Sequence, residues 1–243
     1  MSWTLARMEW RRLLRSPLAW VLLALATLLL AWQFLQALET FSGLPAAQRR
    51  LGLSAYLGLQ SWGFAAVLLL FLTPIVTMRS FSEPLRNGSF SLLSSAPLSL
   101  PAVLLGKYLG CLLFLLLLLA LPLLMSLSIA PGTQLDWGLL AAASLGLALL
   151  TACFAAVGIY FSILGTSSAV AVAGSYGLLL LLTLLSPDST LGGAGLLRWF
   201  AWPGHYLGFQ LGQLRAVDLA YFLLLTALFL ALALHRLERR RRA

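Results

Sequence analysis

The chain has 243 residues, 61% of them hydrophobic and only 9% charged, too few charges to clothe a soluble core of this size. Its net charge of +9 is gathered at the flanks of apolar runs, which argues for membrane topology and against a nucleic-acid-binding surface. With roughly 20 apolar residues per spanning helix, the length suits one membrane domain of about six spans, residues 1–243, and no separate soluble domain.

Residues 1–16 predict a helix of their own. Trp3, Ala6, Trp10 and Leu13 recur at helical spacing, while Arg7, Arg11 and Arg15 form a stripe on another face. Such a helix suits the membrane interface, with indoles at headgroup depth and arginines toward phosphates, and Ser16-Pro17 breaks it from the first apolar run. That run, Leu18–Leu38, is longer than a secretory core of about 7–15 residues and lacks a small-x-small cleavage site, so it reads as a retained span.

A second run covers Leu59–Met78 and a third Leu105–Ile129, interrupted by Pro74 and Pro122, each of which favours a kink. Between them, residues 79–107 form a polar elbow rich in Ser, Pro and Gly. The third run opens with Gly106 and Gly110, and the fourth, Gly138–Ile163, is rich in Gly and Ala. Small side chains let helices approach closely in lipid, so packing within one bundle is the expectation, with a dimer contact as the sharper alternative. The fifth run is Ser168–Leu185. Residues 186–218 are punctuated by Pro and Gly yet carry Trp199, Phe200 and Trp202, which predicts a re-entrant or interfacial segment. His205 in this segment stands alone and reads as structural. The sixth run is Leu219–Leu234.

An even number of spans puts both termini on one side. Arg7, Arg11, Arg12, Arg15, Arg79, Arg86, Lys107, Arg236 and Arg239 to Arg242 then share that side, against Arg49, Arg50, Arg198 and Arg215 opposite. The imbalance orients both termini and the elbow toward the cytosol.

No ionisable residue stands in the middle of any run, which argues against a proton-driven carrier. Cys111 and Cys153 have no partner pattern for a disulfide or metal. There is no phosphate-binding loop, nucleophile elbow or zinc motif, so no catalytic, cofactor or metal residues are assigned and an intramembrane enzyme lacks its constellation. A substrate path would have to be apolar, relieved by Gln33 and Gln36 in the first run, Trp62 in the second, and Ser175 and Tyr176 in the fifth. That lining suits an amphipathic or lipid-linked substrate.

Several segments in order resemble one family. They are Met78-Arg79-Ser80-Phe81-Ser82-Glu83, Asn87-Gly88-Ser89-Phe90-Ser91-Leu92-Leu93, Ala96-Pro97-Leu98-Ser99 and Gly106-Lys107-Tyr108, with Trp10 to Trp20 before them and Pro203-Gly204-His205-Tyr206 after. Together they look like the elbow and flanks of ABC-2 type export permeases, nearest to the gliding-motility-associated permease subunit and the copper-processing permease of nitrous oxide reductase operons. The resemblance departs where Pro84 and Ser91 replace acidic residues and Ser89 replaces a threonine.

The resemblance implies an all-α membrane protein with six transmembrane helices, an N-terminal interfacial helix and a cytosolic coupling helix at about residues 89–95, in a bacterial inner membrane. Glu83, Gly88, Ser89, Phe90, Leu92, Leu93 and Pro97 would form the ATPase-coupling segment. Its partners would be two copies of a separate cytosolic ABC ATPase, which binds the ATP and Mg, and a second copy of the permease or a homologue, with an extracytoplasmic companion in some systems. Two readings remain open at this point. One is an export permease; the other is a non-transporting scaffold through which the ATPase acts mechanically on an extracytoplasmic partner.

Overall fold

The computed structural model describes residues 2–45, 52–86, 99–165, 167–185 and 199–242. The described residues are helical almost throughout. The helices are α1 (Ser2–Arg15), α2 (Pro17–Gly43), α3 (Leu53–Thr77), α4 (Arg79–Arg86), α5 (Leu100–Ser128), α6 (Trp137–Leu164), α7 (Ser168–Leu184), α8 (Trp202–Gln210) and α9 (Ala216–Arg242). Local chemistry sets several of the ends. Pro17 follows Ser16 at the start of α2, where its missing N–H costs nothing. Asp136 Oδ1 accepts from Leu139 N at 3.1 Å to cap α6, and Ser167 Oγ accepts from Val170 N at 3.4 Å to cap α7. Gly212, at φ 77°, closes α8, and Gln213 N donates back to Gly208 O at 2.8 Å.

Five of these helices, α2, α3 continued through α4 to Pro84, α5, α6 and α9, are long and apolar enough to cross a membrane. The expected fifth span appears as α7, an apolar helix of 17 residues. At 1.5 Å per residue it reaches about 25 Å, less than a typical hydrocarbon core of about 30 Å. Among the described residues there are thus five candidate spans plus one shorter apolar helix.

The elbow differs most from expectation. Helix α3 does not give way to a solvated loop at Met78, because α4 resumes at once and packs against α6 and α7. Helix α5 begins at Leu100 rather than Leu105, since Ser99 and Pro101 make a favourable first turn. Ser80, Phe81, Ser82 and Lys107, expected in the polar elbow, are buried. Within residues 79–107, only 87–98 lie outside the described residues.

Helix α6 is the hub, packing against α3, α5, α7, α8, α9 and α4. Its small residues make this possible. A Cβ at Gly146 would run into the Phe209 ring, and one at Gly158 into the Thr77 side chain. Leu147, Leu150, Phe154 and Ile159 fill the space between and are fully buried. Gly110 serves the same purpose on α5, where the Ala6 carbonyl would be 2.9 Å from an added Cβ, so α1 crosses α5 there. The described contacts of both small-residue stripes are therefore internal to the bundle. The prolines that interrupt the second and third apolar runs, Pro74 and Pro122, are accommodated without ending their helices, as is Pro84 within α4.

Candidate functional site

Helix α1 lies on α5 with Ala6 buried and Trp10 and Leu13 partly buried against the core. Arg7, Arg11 and Arg15 are exposed, as the periodicity predicts, and Trp3 is exposed as well. The residue that the periodicity passes over is Glu9. It points into the bundle, where its Oε2 lies 3.4 Å from Lys107 Nζ, both side chains being 11% exposed. Its Oε1 lies 3.8 Å from Arg12 Nη1.

From Arg12 the charges continue outward. Arg12 Nη2 donates to Glu83 Oε2 at 3.1 Å, and Arg79 Nε lies 3.3 Å from Glu83 Oε1. Lys107, Glu9, Arg12, Glu83 and Arg79 therefore alternate in sign along one chain of contacts, tying α5 to α1 and α1 to α4. The inner pair is shielded, while Arg12 and Arg79 are about half exposed and Glu83 is 30% exposed, so solvent screens the outer contacts more than Glu9–Lys107. A cavity of about 100 Å³ lies beside it, lined by Glu9, Arg12, Arg79, Ser80, Glu83, Phe114 and the first turns of α2.

Lys107 has a second task. Pro84 has no N–H, so the Ser80 carbonyl lacks the donor that an α-helix would supply from four residues on. Lys107 Nζ donates to that oxygen at 2.7 Å. The ammonium also stands 5.3 Å from the centre of the Phe81 ring.

The junction between α3 and α4 is held by Ser162 of α6. Its hydroxyl accepts from Phe81 N at 3.0 Å and Ser82 N at 3.2 Å, and donates to Met78 O at 2.9 Å. One donor and two acceptor positions are all a hydroxyl has, and all are used. Ser82 Oγ and Ser168 Oγ, 3.1 Å apart, extend the contact to α7.

Of the residues assigned to coupling, Glu83 belongs to this charged chain. Gly88, Ser89, Phe90, Leu92, Leu93 and Pro97 lie outside the described residues. The five residues assigned to a substrate path are spread over three helices. Gln33 is partly buried and Gln36 exposed on α2, while Trp62 is fully buried in α3. On α7, Ser175 donates to Ala171 O at 2.8 Å, and the Tyr176 hydroxyl reaches the Phe71 carbonyl of α3.

At the opposite end of the bundle, α8 is buried through Trp202, Tyr206 and Phe209. His205, read from sequence as solitary, is paired. Its Nδ1 is 2.7 Å from Asp218 Oδ1 and its Nε2 is 2.9 Å from Trp199 O, and the ring stacks on Tyr221 at 4.1 Å. Both nitrogens face acceptors, and the arrangement closes α8 onto α9. Among the described residues no cluster could hold a metal ion. Beside this closure, Trp199, Phe200, Tyr221, Leu224, Leu225, Leu228 and Ala231 line an apolar groove of about 520 Å³.

Comparison with known proteins returns one family. Residues 3–242 match the family described as ABC-2 family transporter protein. No curated protein matches the chain.

Proposed function

This chain belongs to the ABC-2 transporter family, and from that premise we propose that it is the export permease subunit of a transporter powered by a separate cytosolic ATPase. It is a multi-pass membrane protein with five candidate spans, and members of the family have no ATPase activity themselves. In our reading α7 completes a six-span unit, both termini face the cytosol, and two permease copies engage two ATPase copies. The elbow motifs support a role like that of the gliding-motility-associated and copper-processing permeases.

The observation that carries this reading is the charged chain from Lys107 to Arg79. A helix entering the elbow, α4, is bonded through Glu83 to the N-terminal helix and through Ser80 to the helix leaving the elbow. Movement imposed on residues 89–95 by an ATPase would reach α1, α3 and α5 together. The apolar groove beside Trp199 and Tyr221 supports an amphipathic or lipid-linked substrate, since a small ion gains nothing from such a lining.

Replacing Phe90 and Leu93 by Asp tests the coupling assignment. Burying such side chains is worth about 1.5–3 kcal/mol each, so ATPase co-purification should fall by a factor of tens or more while membrane insertion is retained. Undiminished recovery of the ATPase would refute the assignment. Phe200→Asp, at the far end of the bundle, is the control and should leave ATPase recovery unchanged.

A further inference from the structure

A second cationic feature stands apart from the charged chain. Between the end of α6 and the last turns of α9 is a cavity of about 250 Å³ lined by Ile163, Leu164, Arg236, Arg239 and Arg240. At 100° per residue, positions 236, 239 and 240 fall on one face of α9 and Glu238 on the opposite one. Among the described residues none of the three arginines is paired with a carboxylate. Arg239 Nε donates instead to His235 Nε2 at 3.0 Å, which braces the guanidinium beside the cavity.

We propose that this cavity binds the headgroup of an anionic phospholipid, the phosphate among the three arginines and the glycerol and upper acyl chain against Ile163 and Leu164. Charge complementarity selects an anion, because three guanidinium groups with no carboxylate partner among the described residues face one space. Position selects a lipid over a soluble anion. The arginines end a 25-residue apolar span, Ala216–Arg240, and Leu228 and Leu232 are exposed further along the same helix. The cavity's uncharged lining, Ile163 and Leu164, is apolar. Basic pockets between helices at a membrane boundary recognise headgroups in this way. The site would fasten α9 to α6 at this end of the bundle, as the His205–Asp218 closure fastens α8 to α9 at the other.

The test is lipid retention by the purified full-length protein, read by native mass spectrometry during titration with phosphatidylglycerol, phosphatidylcholine or inorganic phosphate. Wild-type protein should retain phosphatidylglycerol over phosphatidylcholine, and inorganic phosphate should not displace it. The triple variant R236Q/R239Q/R240Q should lose roughly tenfold or more of that retention. R7Q/R11Q/R15Q, which removes as many charges from the exposed stripe of α1, should keep it. Equal loss in both variants would reduce the effect to bulk charge and overturn the site, as would undiminished binding by the first variant. Displacement by inorganic phosphate would overturn the lipid assignment in favour of a small-anion site. If R236Q/R239Q/R240Q does not fold, the wild-type titration decides alone, since equal retention of the two lipids overturns the proposal.

Discussion

Lys107 Nζ lies 2.7 Å from the carbonyl oxygen of Ser80, the acceptor that Pro84 leaves without a backbone donor. A side chain on one helix thus repairs a gap in the hydrogen bonding of another. The repair predicts that the two residues are energetically coupled. Lys107→Met should destabilise the protein, and should do so by about 1 kcal/mol less in a Pro84→Ala background, where the alanine supplies the missing N–H. Thermal unfolding of the four proteins of this cycle measures the coupling, and strict additivity would remove the claim.

Glu83 is expected to separate coupling from stability. Its pairs with Arg12 and Arg79 are about half open to solvent, so Glu83→Gln should cost no more than about 1 kcal/mol of stability. Stimulation of the partner ATPase by the permease should nonetheless fall, because the link from α4 to α1 is lost. A variant with full stimulation would show that the outer half of the charged chain is ornamental.

The glycines of the bundle give opposite expectations. Gly158→Val should destabilise by about 1–3 kcal/mol or more, since its side chain would enter the space held by Thr77. Gly177 has nothing within 4 Å of a Cβ position, so Gly177→Ala should be neutral or stabilising by up to about 1 kcal/mol. Detergent-solubilised melting temperatures compare the two directly.

Topology is open to a simple check. Reporter fusions after Ala243 and within residues 192–195 should report opposite compartments, with the carboxyl terminus cytosolic. The same compartment at both positions would exclude a six-span arrangement.

The long runs were legible in the sequence because lipid demands continuous apolarity, and α2, α3, α5, α6 and α9 each satisfy that demand locally. The internal use of small residues on α6 was legible for the same reason. The ends of the elbow were not. Ser80, Ser82 and Lys107 look like loop residues when read one at a time, and their burial rests on partners far along the chain, Ser162 and Glu9 among them. Glu9 was hidden by the stronger periodicity of its tryptophan and arginine neighbours. His205 looked solitary because Asp218 reaches it only after α8 has turned back at Gly212. Polar residues that satisfy one another at long range leave no periodic mark.

The saturated hydroxyl of Ser162 has a mechanical consequence. Pulling α4 away from the Ser162 hydroxyl of α6 would strand the Phe81 and Ser82 N–H groups in a dry interior, so the junction at Met78 resists acting as a pivot. Helices α3 and α4 then behave as one rigid crank. On the proposed coupling, a force applied beyond Arg86 would be passed into α3, the helix that carries Trp62.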